Sequence, residues 1–177
     1  MRQLAAAGFM VVGILALGWN DLSACGDKFI LVGRGVRFQH AYAAVHPASI
    51  LILINAKSRM GPALRDPDFL KTLKLAGHAV QTTTVDSAAA VLDAGRYDIV
   101  LTDVSDAMNL ESQARTTASR PVVLPILYKP AATELRAAVI RFPTVLTAPD
   151  KIAHVLSVID DTMKARLKRT SAASATD

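Results

Sequence analysis

Apolar positions fall into two regimes along the chain: one charge-free block near the start, and short apolar runs alternating with amphipathic stretches from residue 48 onward. In the second regime, Ser49 to Ile54 (SILILI) is continuously apolar and rich in β-branched residues, the pattern of a strand buried on both faces. Asp66-Pro67 supplies an N-cap with proline at the first helical position; Phe69, Leu70, Leu73 and Ala76 then recur at helical spacing, and Gly77 stops the helix. Ala79 to Val85 alternates as a second strand, and Asp86 or Ser87 caps a helix running through Val91 and Leu92 to Gly95. Tyr97 to Asp103 is a third strand, and residues 105–119, polar with a weak apolar face, predict a short or frayed helix. Pro121 to Leu127 is a fourth strand with Pro125 an awkward member, and Thr133 caps a helix with Leu135, Ala138, Val139 and Phe142 inward. Thr144 to Thr147 is a fifth strand; Asp150 caps a last helix with Ile152, Val155, Leu156, Ile159 and Met163 on one face. Strands alternating with helices imply a parallel sheet covered on both faces, an α/β doubly wound domain over residues 48–169. Such folds place their sites at the C-terminal ends of the strands: Asn55 to Ser58, Asp86, Asp103 to Asp106, Tyr128-Lys129 and Ala148-Pro149.

The first regime accounts for part of the mean hydropathy of +0.31. Leu4 to Trp19 carries no charge and follows Arg2; as a helix its 16 residues reach about 24 Å, short of the ~20 residues of a membrane span. A basic start, a short apolar run and small residues before a break are the plan of an export signal. Leu22-Ser23-Ala24-Cys25 resembles the lipobox of bacterial lipoproteins, at all four positions. The resemblance implies cleavage before Cys25, removal of residues 1–24, and acylation of that thiol, so that the membrane partner is reached through lipid on Cys25. Two or three acyl chains anchor firmly where one is marginal. The alternative is an uncleaved signal anchor: Lys28, Arg34 and Arg37 follow the apolar run, and the positive-inside rule then keeps the rest in the cytoplasm. Residues 25–47 read as a tether carrying Lys28, Arg34, Arg37, His40 and His46, placed to lie on anionic headgroups beside a lipid anchor, with the two histidines solvated rather than metal-binding; Gly33-Arg34-Gly35 lacks the third glycine and the following helix of a dinucleotide loop.

Composition excludes several classes. Aromatics at 5% of 177 residues argue against a stacking nucleic-acid module, one cysteine against a disulfide framework or a cysteine metal site, and +5 is too dilute for a nucleic-acid footprint. No metal and no cofactor is expected, and the absence of a complete catalytic set at the strand ends argues against an enzyme. The basic run Lys164, Arg166, Lys168 and Arg169 suits a helix C-terminus, with residues 170–177 disordered.

Residues 48–168 resemble the receiver domain of response regulators, most clearly in DSAAAVLDAGRYDIVLTDV (Asp86 to Val104), where the second helix, its glycine stop and the third strand fall in receiver register. The resemblance implies the receiver/flavodoxin-like strand order 2-1-3-4-5 and puts Asp103 at the phospho-acceptor position. Thr147-Ala148-Pro149-Asp150 looks like the end of the fifth strand. The remaining positions depart from the family. Asn55 and Ala56 stand where receivers carry two magnesium-binding acids, Ile126 where they carry a hydroxyl, and Ala148 before Pro149 where they carry a lysine; Lys129-Pro130 offers that lysine one strand too early. Phosphoryl transfer depends on positioning and charge neutralisation, so Asp103 without these groups is expected to be a polar strand end, bonded to Lys57, Ser58 or nearby amides, with Asp86 and Asp106 as cap and turn residues. The expectation is a lipid-anchored, periplasm-facing pseudo-receiver of the cell envelope acting by protein–protein contact. By resemblance its partner surface is residues 133–142, 144–149 and 150–166.

Overall fold

The computed structural model describes residues 29–30 and 41–174. Cys25 and the lipobox, Gly33-Arg34-Gly35 and His40 lie outside the described residues. A two-residue antiparallel ribbon pairs β1 (Phe29–Ile30) with β2 (Ala41–Tyr42). The main sheet comprises β3 (Ser49–Ile54), β4 (Ala79–Thr84), β5 (Ile99–Asp103), β6 (Val122–Tyr128) and β7 (Leu146–Ala148), parallel throughout, in the order β4-β3-β5-β6-β7. Numbered from β3, that is 2-1-3-4-5, the flavodoxin-like doubly wound order. Strand residues alternate between the two faces. Ile50, Ile52, Ile99, Leu101 and Leu124 meet α1 (Gly61–Leu64), α2 (Pro67–Leu75) and α6 (Ile152–Ser174) on one side. Leu51, Leu53, Val100 and Val123 meet α3 (Ala88–Ala94), α4 (Val104–Thr116) and Phe142, the residue after α5 (Ala132–Arg141), on the other. No helix among the described residues is long and apolar enough to cross a membrane.

Several local expectations change. Residues 104–116 form a full helix, because Ala107, Leu110 and Ala114 bury a narrow apolar face at helical spacing against the sheet. Thr133 lies inside α5. The helix starts after Ala131, whose amide donates to the Glu134 carboxylate at 2.9 Å, so the helix entry is held by the acid three residues on. Val139 is exposed rather than inward, as is Ile140. Neither Asp86 nor Ser87 caps α3 with its side chain; a 3₁₀ turn over Val85–Ser87 leads into it. Asp150 precedes α6 and accepts from the Lys151 amide at 2.6 Å and meets His154 Nδ1 at 2.5 Å. Pro125 sits in β6 just before β7 begins to pair at Ile126, so pairing on that side asks no N–H of it.

The two ends of the domain differ most. Residues 170–174 are helical, not disordered, with Thr170 and Ser171 hydroxyls donating to the carbonyls four residues back. The basic residues therefore stand well before the end of α6, and Arg166 reaches off the helix to the Ser119 and Arg120 carbonyls at 2.7 and 2.6 Å. At the other end, the last stretch of the expected tether is docked. Tyr42 donates its hydroxyl to the buried Asp160 carboxylate, which also accepts the His46 amide at 3.1 Å, while the Ala44 amide donates to the Ala76 carbonyl at 2.8 Å. His46 is half-buried rather than solvated.

Candidate functional site at the strand ends

The C-terminal ends of β3 and β5 bring two carboxylates together with neutral partners. β3 ends at Ile54, and the chain turns at once: the Ser58 amide donates to the Asn55 carbonyl at 3.1 Å and the Gly61 amide to the Ser58 carbonyl at 3.1 Å. Gly61 is required there because a Cβ would stand 2.6 Å from the Asn55 carbonyl oxygen. This tight loop aims Asn55 and Ser58 across the sheet edge at α4. Asn55 Nδ2 donates to both carboxylate oxygens of Asp106, at 3.2 and 3.0 Å, and its Oδ1 accepts the Lys57 amide at 2.9 Å.

Asp103 caps α4. Its Oδ1 accepts from the Ser105 amide at 2.9 Å and the Ser105 hydroxyl at 2.8 Å, and its Oδ2 accepts from the Ser58 hydroxyl. Ser58 Oγ in turn accepts the Met60 amide at 3.0 Å, so a relay of neutral donors runs from the β3 loop to the carboxylate. Of the expected bonds, those to Ser58 and to a nearby amide are present; Lys57 contributes its amide to Asn55 instead. Asp106, expected as a turn residue, is instead held by Asn55 within the first turn of α4.

The other positions singled out from the sequence go elsewhere. Ala56 is exposed. Ile126 is buried in β6 opposite Asp103. With Ala148 and Pro149 it lines a separate apolar cavity of about 390 Å³ between α2 and the start of α6. A cleft of about 480 Å³ opens beside Asp103, walled by Arg59, Met108, Tyr128, Glu134 and Arg141. Glu134 is bonded to the Ala131 amide and Arg141 to Glu111 at 3.0 Å. Lys129 has its ammonium 5.5 Å from the Tyr128 ring centroid, and its amide donates to the Ala148 carbonyl at 2.7 Å. Among the described residues, no three of His, Cys, Asp and Glu gather as a metal-holding group. The arrangement satisfies both carboxylates with hydroxyl and amide donors.

No protein-family model matches the chain, and no curated protein matches it. Among solved structures, it is similar to a response regulator receiver protein from Burkholderia phymatum (TM-score 0.47, 20% identity, 66% of this chain and 95% of that one). It is also similar to a CheY-like response regulator protein from Mesorhizobium loti (TM-score 0.44, 13% identity, 64% of this chain and 98% of that one).

Proposed function

We propose that the chain is a lipid-anchored pseudo-receiver of a bacterial cell envelope, facing the periplasm, held by lipid on Cys25 and acting by protein–protein contact without phosphoryl transfer. The observation that carries the second half is the bonding of Asp103. Both carboxylate oxygens accept hydrogen bonds from Ser58 and Ser105, and the position serves as the N-cap of α4. Asn55 holds the neighbouring Asp106 as a neutral amide donor, where a magnesium site wants hard anionic oxygens. With magnesium and a beryllium fluoride phosphoryl mimic, the domain should give no stable adduct at Asp103; an adduct seen by fluorine NMR overturns this part of the reading.

The first half is supported by the lipobox sequence, with the chain's sole cysteine at its last position. Labelling with a radioactive fatty acid tests it directly: label is expected on the wild type and lost in Cys25→Ser. Label independent of Cys25, or none at all, defeats lipidation. The basic residues Lys28, Arg34 and Arg37 favour a second reading, a membrane-anchored cytoplasmic regulator that is equally phosphate-independent. A C-terminal fusion to an export-dependent phosphatase separates the two, being active only if the domain is exported.

The partner surface in this reading lies within residues 133–166. Its large exposed apolar residues are Val139 and Ile140 on α5, the latter 87% exposed, and Ile152 at the start of α6. Ile140→Glu should leave folding unchanged and reduce cross-linking to the envelope partner at least tenfold; unaltered cross-linking would remove α5 from the surface.

A further inference from the structure

We propose that an arginine-lined groove at the N-terminal edge of the sheet docks the domain on an anionic phospholipid surface, its guanidinium groups seating headgroup phosphates. It is a second membrane contact on the folded domain, deepening the anchored reading above. The groove has a volume of about 930 Å³ and lies at the opposite end of the strands from Asp103, between the second half of α4, the loops entering β5, β6 and β7, and α6. Five arginines line it (Arg96, Arg115, Arg120, Arg166 and Arg169), against two acids, Asp98 and Glu111. Both acids are already neutralised: Asp98 lies 3.4 Å from Arg166, and Glu111 lies 2.6 Å from Arg115 and 3.0 Å from Arg141. Arg96, Arg120 and Arg169 are exposed and form no ion pair with the described residues. Helix dipoles explain a cation such as Arg115 in the last turn of α4, but not Arg96 and Arg120, which stand in loops beyond α3 and α4. Arg120 is even held in the left-handed region, at φ 45°.

Where the chain enters the domain selects the occupant. The docked segment at Ala44 bonds to Ala76, at the C-terminal end of α2, and feeds into Ser49 at the same N-terminal edge of the sheet. Asp160, which clamps that segment, and Arg166, which borders the groove, are six residues apart on α6, about 9 Å along its axis. Cys25 is four residues before Phe29, whose backbone pairs with Tyr42, so the acylation position is within about 14 Å of chain of the ribbon. A membrane holding the chain at Cys25 thus lies on the side where the unpaired arginines face out. Each cation near such a surface adds attraction to anionic lipid that fades within a Debye length.

The test uses the full chain with Cys25→Ser and Ala118→Cys, placing a single spin label in the groove, mixed with vesicles of phosphatidylcholine alone or with added phosphatidylglycerol. The label should be shielded from an aqueous paramagnetic relaxant at least threefold more on phosphatidylglycerol, and the shielding should vanish at 0.5 M salt. It should also vanish in R96E/R120E/R169E and persist in R96K/R120K/R169K, with melting temperatures confirming that each variant folds. A label at Ile140→Cys should not respond. Equal shielding on both lipids, or shielding that survives charge reversal, overturns the proposal. So does shielding produced by millimolar pyrophosphate without vesicles, which would assign the groove to a soluble phosphate. Sedimentation of the lipidated wild-type chain with phosphatidylcholine vesicles reads the Cys25 anchor alone, so its failure is visible separately from that of the groove.

Discussion

Asp160 is 2% exposed on a helix whose other buried residues are apolar or hydroxylic, and it stays there because donors converge on it from a segment 114 to 118 residues away in sequence. Burial and the adjacent Asp160 and Asp161 carboxylates push the Tyr42 phenol above its ordinary range, so it remains a donor at any physiological pH. Replacing it as Tyr42→Phe leaves a buried carboxylate short of one donor and should cost about 1–3 kcal/mol in urea unfolding. An unchanged midpoint would show that the segment does not brace the fold. His78 is the counterpart that titrates. Burial lowers its pKa, against a smaller opposing pull from Asp160, and its Nδ1 accepts the Ala48 amide at 3.2 Å, so a second ring proton would meet an N–H. The unfolded chain then takes up that proton more readily than the folded one. The contribution of His78 is therefore full above its unfolded value, near 6.5, and declines as pH falls below it. Melting temperatures measured from pH 7.5 to 5.5 should fall, and should fall less in His78→Gln; parallel profiles would exclude His78 as the cause.

At the level of elements, α4 depends on Asp103 as its N-cap. Asp103→Ala removes the acceptor for the Ser105 amide and for Ser58, and should destabilise the domain by about 1–2 kcal/mol, whereas Asp103→Asn keeps an acceptor and should cost less. Equal losses in thermal unfolding would mean that the charge, not the cap, is what matters. How much of this was legible depends on separation along the chain. The inner strands β3, β5 and β6 show as apolar runs because both their faces are buried, whereas the edge strand β4 (AVQTTT) shows only as an alternation, and Asp66-Pro67 announces α2 because the cap and the proline are adjacent. The entry of α5 lies before Thr133, and Glu134 three residues after Ala131 is its readable signal. The strength of α4 is hidden because its buried face is mostly alanine, which a hydrophobic pattern underweights. The Asn55–Asp106 and Tyr42–Asp160 bonds span 51 and 118 residues, and no local pattern encodes them. Asn55 stands out in the sequence as a departure from a motif, but Asp106 as its partner does not.

Across the whole molecule, α6 is the element that joins the two ends. Its first half packs Val155, Leu156, Ile159 and Met163 on the sheet, Asp160 receives the entering chain, and Arg166 ties the helix to the loop before β6. The Arg166 side chain is 21% exposed and makes two carbonyl bonds plus the contact with Asp98, which itself accepts the Ser49 amide at the start of β3. Removing that side chain thus loosens the start of β3 and the entry to β6 together, through one shared group. Arg166→Ala is accordingly expected to lower the unfolding free energy by about 1–3 kcal/mol with the denaturant slope unchanged, as read by urea denaturation followed by circular dichroism. An unchanged unfolding free energy would mean that the apolar face of α6, rather than the Arg166 tie, holds the helix to the sheet.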